Sequence, residues 1–256
     1  MKRAVFFLVS LLCISISPFS FVGVASAEQE LIVSAAASLT NAFGEVGKKF
    51  ESANPGAKVV FNFGASGALL QQIDKGAPVD VFASADQKTM DQAGEKHLIL
   101  SETRKDFAGN ELVLIIPPGA KIPVKTLKDL TTAEIGRVAL GNPETVPVGR
   151  YTQEVLSNEG FWDLLKPKFI FGESVRQVLD YVSRGEVDAG FVFATDAAVA
   201  KDHVGVALEA SQHKPITYPI SVVGSTKSKA MAGKFVDFVL SGEGQEVLVR
   251  YGFKKP

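Results

Sequence analysis

The chain reads as an α/β protein of two lobes, on three observations. Apolar strand-like runs alternate with amphipathic helical patterns along its length. Leu112–Ile116 is apolar throughout and bounded by Asn110 and by Pro117-Pro118, as a strand buried on both faces requires. A pattern also recurs. Phe63-Gly64-Ala65-Ser66, a helix, Gly76 and Phe82-Ala83-Ser84-Ala85-Asp86 are answered by Phe171-Gly172-Glu173-Ser174, a helix, Gly185 and Phe193-Ala194-Thr195-Asp196. Taken as a repeat, this predicts two lobes of one design facing each other across a cleft, with Leu112–Ile116 and Ile220–Val223 as crossover strands. The expected division is a leader at 1–27, a discontinuous first lobe at 28–110 plus 224–256, and a second lobe at 111–223.

The first element is the leader. Met1-Lys2-Arg3 precedes an apolar run too short to span a bilayer, and Ala25-Ser26-Ala27 fits a signal-peptidase site, so cleavage after Ala27 is expected. The single cysteine, Cys13, lies in that run, and Leu12 before it does not suit a lipoprotein signal. The mature chain would then hold no disulfide and no thiolate metal site. The full sequence has 27 basic and 28 acidic residues; losing Lys2 and Arg3 with no acid leaves 25 against 28, a formal charge of −3. A mildly acidic exported protein has no bulk attraction for nucleic acid or an anionic bilayer, and no later stretch is apolar enough to insert in a membrane.

The mature elements follow in order. Leu31–Ser34 reads as a buried strand running into three alanines, and a helix with Leu39, Phe43, Val46 and Phe50 on one face opens at Ser38, which takes the N-cap position. Lys58–Phe63 is a strand that Gly64-Ala65-Ser66-Gly67 turns into a helix ended by Gly76. Val79–Ala83 is a short strand, and Asp86 heads the next helix as its cap. Past Leu112–Ile116 come a short helix at Leu127–Leu130 and a strand at Arg137–Leu140. The turn-rich Gly141–Gly149 loop then feeds a helix through Tyr151, Val155 and Leu156. Lys168–Phe171, a helix opening at Ser174-Val175, the strand Ala189–Phe193, a helix headed by Asp196, the strand Thr217–Val223 and two C-terminal helices complete the chain.

Enzyme signatures are absent: no G-x-S-x-G elbow, no phosphate-binding P-loop, no H-E-x-x-H. His97, His203 and His213 have neither ligand-pair spacing nor a candidate nucleophile beside them. What remains is a set of strand-to-helix corners carrying small or hydroxyl residues: Ser38, Ser66, the Pro147-Val148-Gly149 turn and Ser174-Val175. Such corners offer free first-turn amides and a favourable dipole, at the strand ends where α/β folds bind ligands. Donors of this kind, with no cation, suit a fully deprotonated tetrahedral oxyanion. A protonated one would set its hydrogen against an N–H.

These residues resemble the periplasmic molybdate-binding proteins, the soluble receptors of molybdate ABC importers. The resemblance spans the mature chain and is carried by Ala35-Ala36-Ala37-Ser38-Leu39-Thr40, by Gly76-Ala77-Pro78-Val79-Asp80-Val81-Phe82-Ala83-Ser84-Ala85-Asp86-Gln87, by the Gly141–Gly149 loop and by Arg250-Tyr251-Gly252-Phe253. It implies a two-lobed type II periplasmic-binding fold, hinged by two crossover strands, with the ligand in the interlobe cleft. It further implies that Ser38 and Ser66 offer hydroxyl and amide, and that Val148 and Val175 offer backbone N–H groups. The position of the family's tyrosine hydroxyl is Phe193 here. A hydrogen bond to a charged partner is worth ~1.5–3 kcal/mol, so its loss would cost roughly ten- to hundredfold in affinity unless another group, such as Thr195, replaces it.

The expected protein is thus a monomeric periplasmic receptor that takes molybdate or tungstate to the permease of an ABC importer. It has no catalytic residue and no cofactor, and the metal enters only as its oxyanion. Alternatives are a receptor for sulfate or thiosulfate, or an exported α/β hydrolase using a serine.

Overall fold

In the computed structural model, residues 29–120 and 123–255 are described; the leader and its cleavage site lie outside them. The strands are β1 (Gln29–Ala36), β2 (Ala57–Gly64), β3 (Val81–Ala83), β4 (Lys105–Asn110), β5 (Leu112–Ile116), β6 (Val138–Gly141), β7 (Phe169–Gly172), β8 (Ala189–Phe193), β9 (Gly205–Ala210) and β10 (Ile216–Val222). The helices are α1 (Thr40–Ala53), α2 (Ser66–Asp74), α3 (Gln87–Glu95), α4 (Pro147–Asn158), α5 (Trp162–Leu165), α6 (Val175–Ser183), α7 (Ala194–Val199), α8 (Lys229–Leu240) and α9 (Gly242–Arg250).

Each lobe is built on a five-stranded sheet, ordered β2-β1-β3-β10-β4 in the first and β7-β6-β8-β5-β9 in the second. The two orders superimpose term for term. In each, three parallel strands are followed by a strand that has just crossed from the other lobe and runs antiparallel to its neighbours. Phe63–Asp86 and Phe171–Asp196 occupy matching places, so the sequence repeat is a structural one. The inner strands are almost wholly buried, with Leu31, Val33, Val81, Leu112, Leu114, Val138 and Phe191 sealed from solvent. This is the consequence of helices on both faces of a sheet.

The chain crosses between lobes twice, at Glu111 between β4 and β5, and at 211–215 between β9 and β10. The expectation that the first lobe resumes at 224 is corrected here: β10 already pairs with β3 and β4 in the first sheet. An apolar strand states that it is buried but not in which sheet. The two edge strands next to the crossings, β4 and β9, were not read from the sequence at all.

Candidate functional site

The site is made where four strand-to-helix corners meet. After β1 the backbone makes a 3-10 turn at Ala37–Leu39 before α1 begins at Thr40. Ser38 therefore lies inside the turn and caps nothing, contrary to expectation; the tighter turn occupies the place of a cap. Its Oγ instead lies 3.0 Å from the Tyr218 hydroxyl. Ser66 is the first residue of α2, and its Oγ accepts the Ala85 N–H at 3.0 Å. Val148 is the second residue of α4, behind Pro147, whose fixed φ suits a first helical position. Val175 is the first residue of α6, behind Ser174, whose hydroxyl caps the helix by accepting the Gln177 N–H at 3.3 Å. Helix geometry leaves the amides of Ser66, Val148 and Val175 without an intrahelical acceptor.

Ser38, Ser66, Val148 and Val175 line one small cavity between the lobes. Alanines, Val146 and Phe193 make up much of the remaining wall, and among the described residues no charged side chain or histidine lines it. Its volume is about 10 Å³, at the lower limit of what one water needs. The lobes are thus drawn tightly together, and a five-atom anion requires them to part.

Contacts across the cleft hold them there. Gly67 donates its N–H to the Thr145 carbonyl across the cleft at 2.9 Å. A Cβ at Gly67 would stand 2.6 Å from that oxygen, so only glycine permits the approach. Arg150, in α4, reaches across to Asp86, the cap of α3, with Nε to Oδ2 at 2.7 Å, and donates to Thr89 Oγ1 at 2.7 Å. Beside this pair lies a larger groove of about 550 Å³. Its carboxylates Asp86, Asp91, Glu95 and Glu154 outnumber its cations, so it is the wrong place for a dianion.

Behind the small cavity runs a buried polar chain that sequence reasoning missed. Asn110, the last residue of β4, donates through Nδ2 to Thr195 Oγ1 at 2.9 Å and to the Tyr218 hydroxyl at 3.1 Å. Thr195 is thus turned to Asn110 and is not among the cavity's lining residues. Burial pushes the Tyr218 phenol well above its ordinary pKa, so it keeps its proton. The only sequence signals were a tyrosine inside an apolar strand and an asparagine at a strand end.

Asp196 does not head its helix. It sits within the first turn of α7, fully buried, with Oδ1 2.6 Å from Arg176 Nε but out of line for a hydrogen bond. Burial pushes its carboxyl up to about 6, against the opposing pull of Arg176. His97 and His203 are exposed, and His213 packs edge-on against Tyr151; none lines the cavity.

Two matched lobes that meet around a cavity lined by uncharged helix starts describe a receptor frame, and the comparisons with known proteins agree. The signature of the bacterial extracellular solute-binding proteins matches residues 31–254. The chain belongs to that family. Among curated relatives of this solute-binding protein, the Bacillus subtilis putative ABC transporter substrate-binding lipoprotein YvgL is 38% identical, covering 87% of this chain and 85% of that one. The Escherichia coli molybdate-binding protein ModA is 38% identical, covering 92% and 93%. Among solved structures, the substrate-binding domain of a putative molybdenum ABC transporter from Clostridium difficile is 42% identical. It superimposes with a TM-score of 0.67 over 89% of this chain and 99% of that one. The solute-binding protein has the two-lobed type II fold of periplasmic receptors and works outside the cytoplasm.

Proposed function

We propose that this protein captures molybdate, or the near-isosteric tungstate, by closing its lobes on the anion, and presents it to the permease of an ABC importer. The observation that carries the reading is the convergence of Ser38, Ser66, Val148 and Val175 on one cavity that, among the described residues, has no charged wall. Two hydroxyls and several amides can each donate to a naked dianion, whereas only the two hydroxyl oxygens could accept the proton of a protonated one. The similarity to relatives named for molybdate supports the choice of ligand. The protein catalyses no reaction, needs no cofactor and acts as a monomer, released into the periplasm by cleavage after Ala27.

A ligand that binds only the folded state raises the melting temperature. Molybdate and tungstate should each raise it by several degrees at saturating concentration, sulfate by less and phosphate by least. Equal shifts from sulfate and molybdate would overturn the ligand assignment in favour of a general oxyanion receptor. Turnover of a phosphate ester would overturn the receptor class.

A further inference from the structure

We propose that Tyr218 and Asn110 act as positioning residues that fix the Ser38 hydroxyl as a donor into the cavity. This rests on the oxyanion reading above and adds a reason for the site to prefer fully deprotonated anions.

The direction of each hydrogen follows from the partners. Asn110 Oδ1 accepts the Glu111 N–H at 2.9 Å, which turns the amide nitrogen the other way, toward Thr195 and Tyr218. The nitrogen carries only hydrogens, so the Tyr218 oxygen receives one. The phenol hydrogen then has Ser38 Oγ, 3.0 Å away, as its acceptor. In the reverse arrangement Ser38 would donate to Tyr218, and a fully buried phenol hydrogen would be left without a partner, which is the costly outcome. With its oxygen engaged by Tyr218, Ser38 keeps its own hydrogen for the cavity that it lines. Ser66 is treated alike, since its oxygen accepts the Ala85 N–H.

Phe193 completes the arrangement. Its ring packs against Tyr218 at 5.8 Å between centroids and lines the cavity, so it braces the phenol from the cavity side. Hydroxyl chemistry is kept and relayed through Ser38.

The test is Tyr218→Phe, which keeps the buried ring and removes the relay. Calorimetric titration of both proteins at neutral pH with molybdate, and with phosphate by competition, reads the effect. Molybdate affinity should fall roughly tenfold while phosphate loses little or gains, narrowing the ratio between them. An unchanged ratio, with molybdate unaffected or every anion weakened alike, would show that Tyr218 only packs and would overturn the proposal. Proton NMR of the ligand-free wild type decides the ordering independently. A slowly exchanging Tyr218 hydroxyl proton with cross-relaxation to the Ser38 β-protons is expected, and one directed elsewhere overturns it. Failure of the wild type to bind any of the anions would instead count against the function reading, with the NMR result still deciding the relay.

Discussion

The two lobes share one strand order but meet the cavity with different chemistry. From the first lobe come Ser38 and Ser66, hydroxyl side chains whose oxygens already have partners within the protein. From the second come Val148 and Val175, whose side chains are apolar and whose amides are the only polar groups they offer. The paired aspartates differ too. Asp86 reaches Arg150 across the cleft, whereas Asp196, its counterpart in the repeat, is held by Arg176 within the second lobe. On the proposed function a common scaffold has two jobs: the first lobe grips, and the second closes over what is gripped.

That division can be broken most directly on the gripping side. Ser38→Ala combined with Ser66→Ala removes two hydroxyl donors to a charged ligand and should lower molybdate affinity on the order of a thousandfold by calorimetry. A loss below tenfold would mean that the amides alone hold the anion. On the closing side, Val175→Pro deletes one N–H at a first helical position, where proline is tolerated, and Ser174 before it is already extended at φ −157°, ψ 165°. Affinity should fall roughly ten- to hundredfold with far-UV circular dichroism unchanged. Loss of helix signal would instead assign the defect to folding.

Smaller effects sharpen the contrast. Asp86→Asn with Arg150→Gln removes the latch without stranding a buried charge, and should weaken binding several-fold, mostly through faster release. Stopped-flow dissociation would show whether closure depends on it. Phe193→Tyr should tighten binding by a few-fold if the second lobe can take one more donor; unchanged or poorer affinity would show that the relay through Tyr218 already serves.

The smallest effects concern pH. Among the described residues no titrating side chain lines the cavity, so affinity should vary little between about pH 6 and 8. Stability is another matter. The Asp196 carboxyl is raised in the fold to about 6 from an ordinary 3.8, so the native state holds its proton more tightly than the unfolded chain. Its contribution is fully present below 3.8 and is lost as pH rises through about 6. Melting of the free protein across that interval should show this decline, and Asp196→Asn should flatten it.

Much of this was legible in the sequence because it rested on short-range patterns. Leu112–Ile116 announced a buried strand, Ser174 a cap, and the Phe63 and Phe171 segments a repeated unit. The four corners could be named because small and hydroxyl residues follow directly on strands. What escaped was set by partners far along the chain. β4 contains Lys105, Asp106 and Gly109, and β9 begins at a glycine; as edge strands with one neighbour each they need no continuous apolar run. Tyr218 lies 180 residues from Ser38 and 108 from Asn110, so no local pattern could join them. Asp86 reads as a helix cap and is one, but its second role depends on Arg150, which only closure of the lobes brings near.

The central claim is that neutral helix-start donors, with no cation, take the anion. The most direct measurement is a crystal structure of the molybdate complex with anomalous data at the molybdenum edge. One peak is expected among Ser38, Ser66, Val148 and Val175, its oxygens contacted by hydroxyls and amides alone. A peak in the charged groove beside Arg150, or an oxygen held by a lysine or arginine, would contradict it.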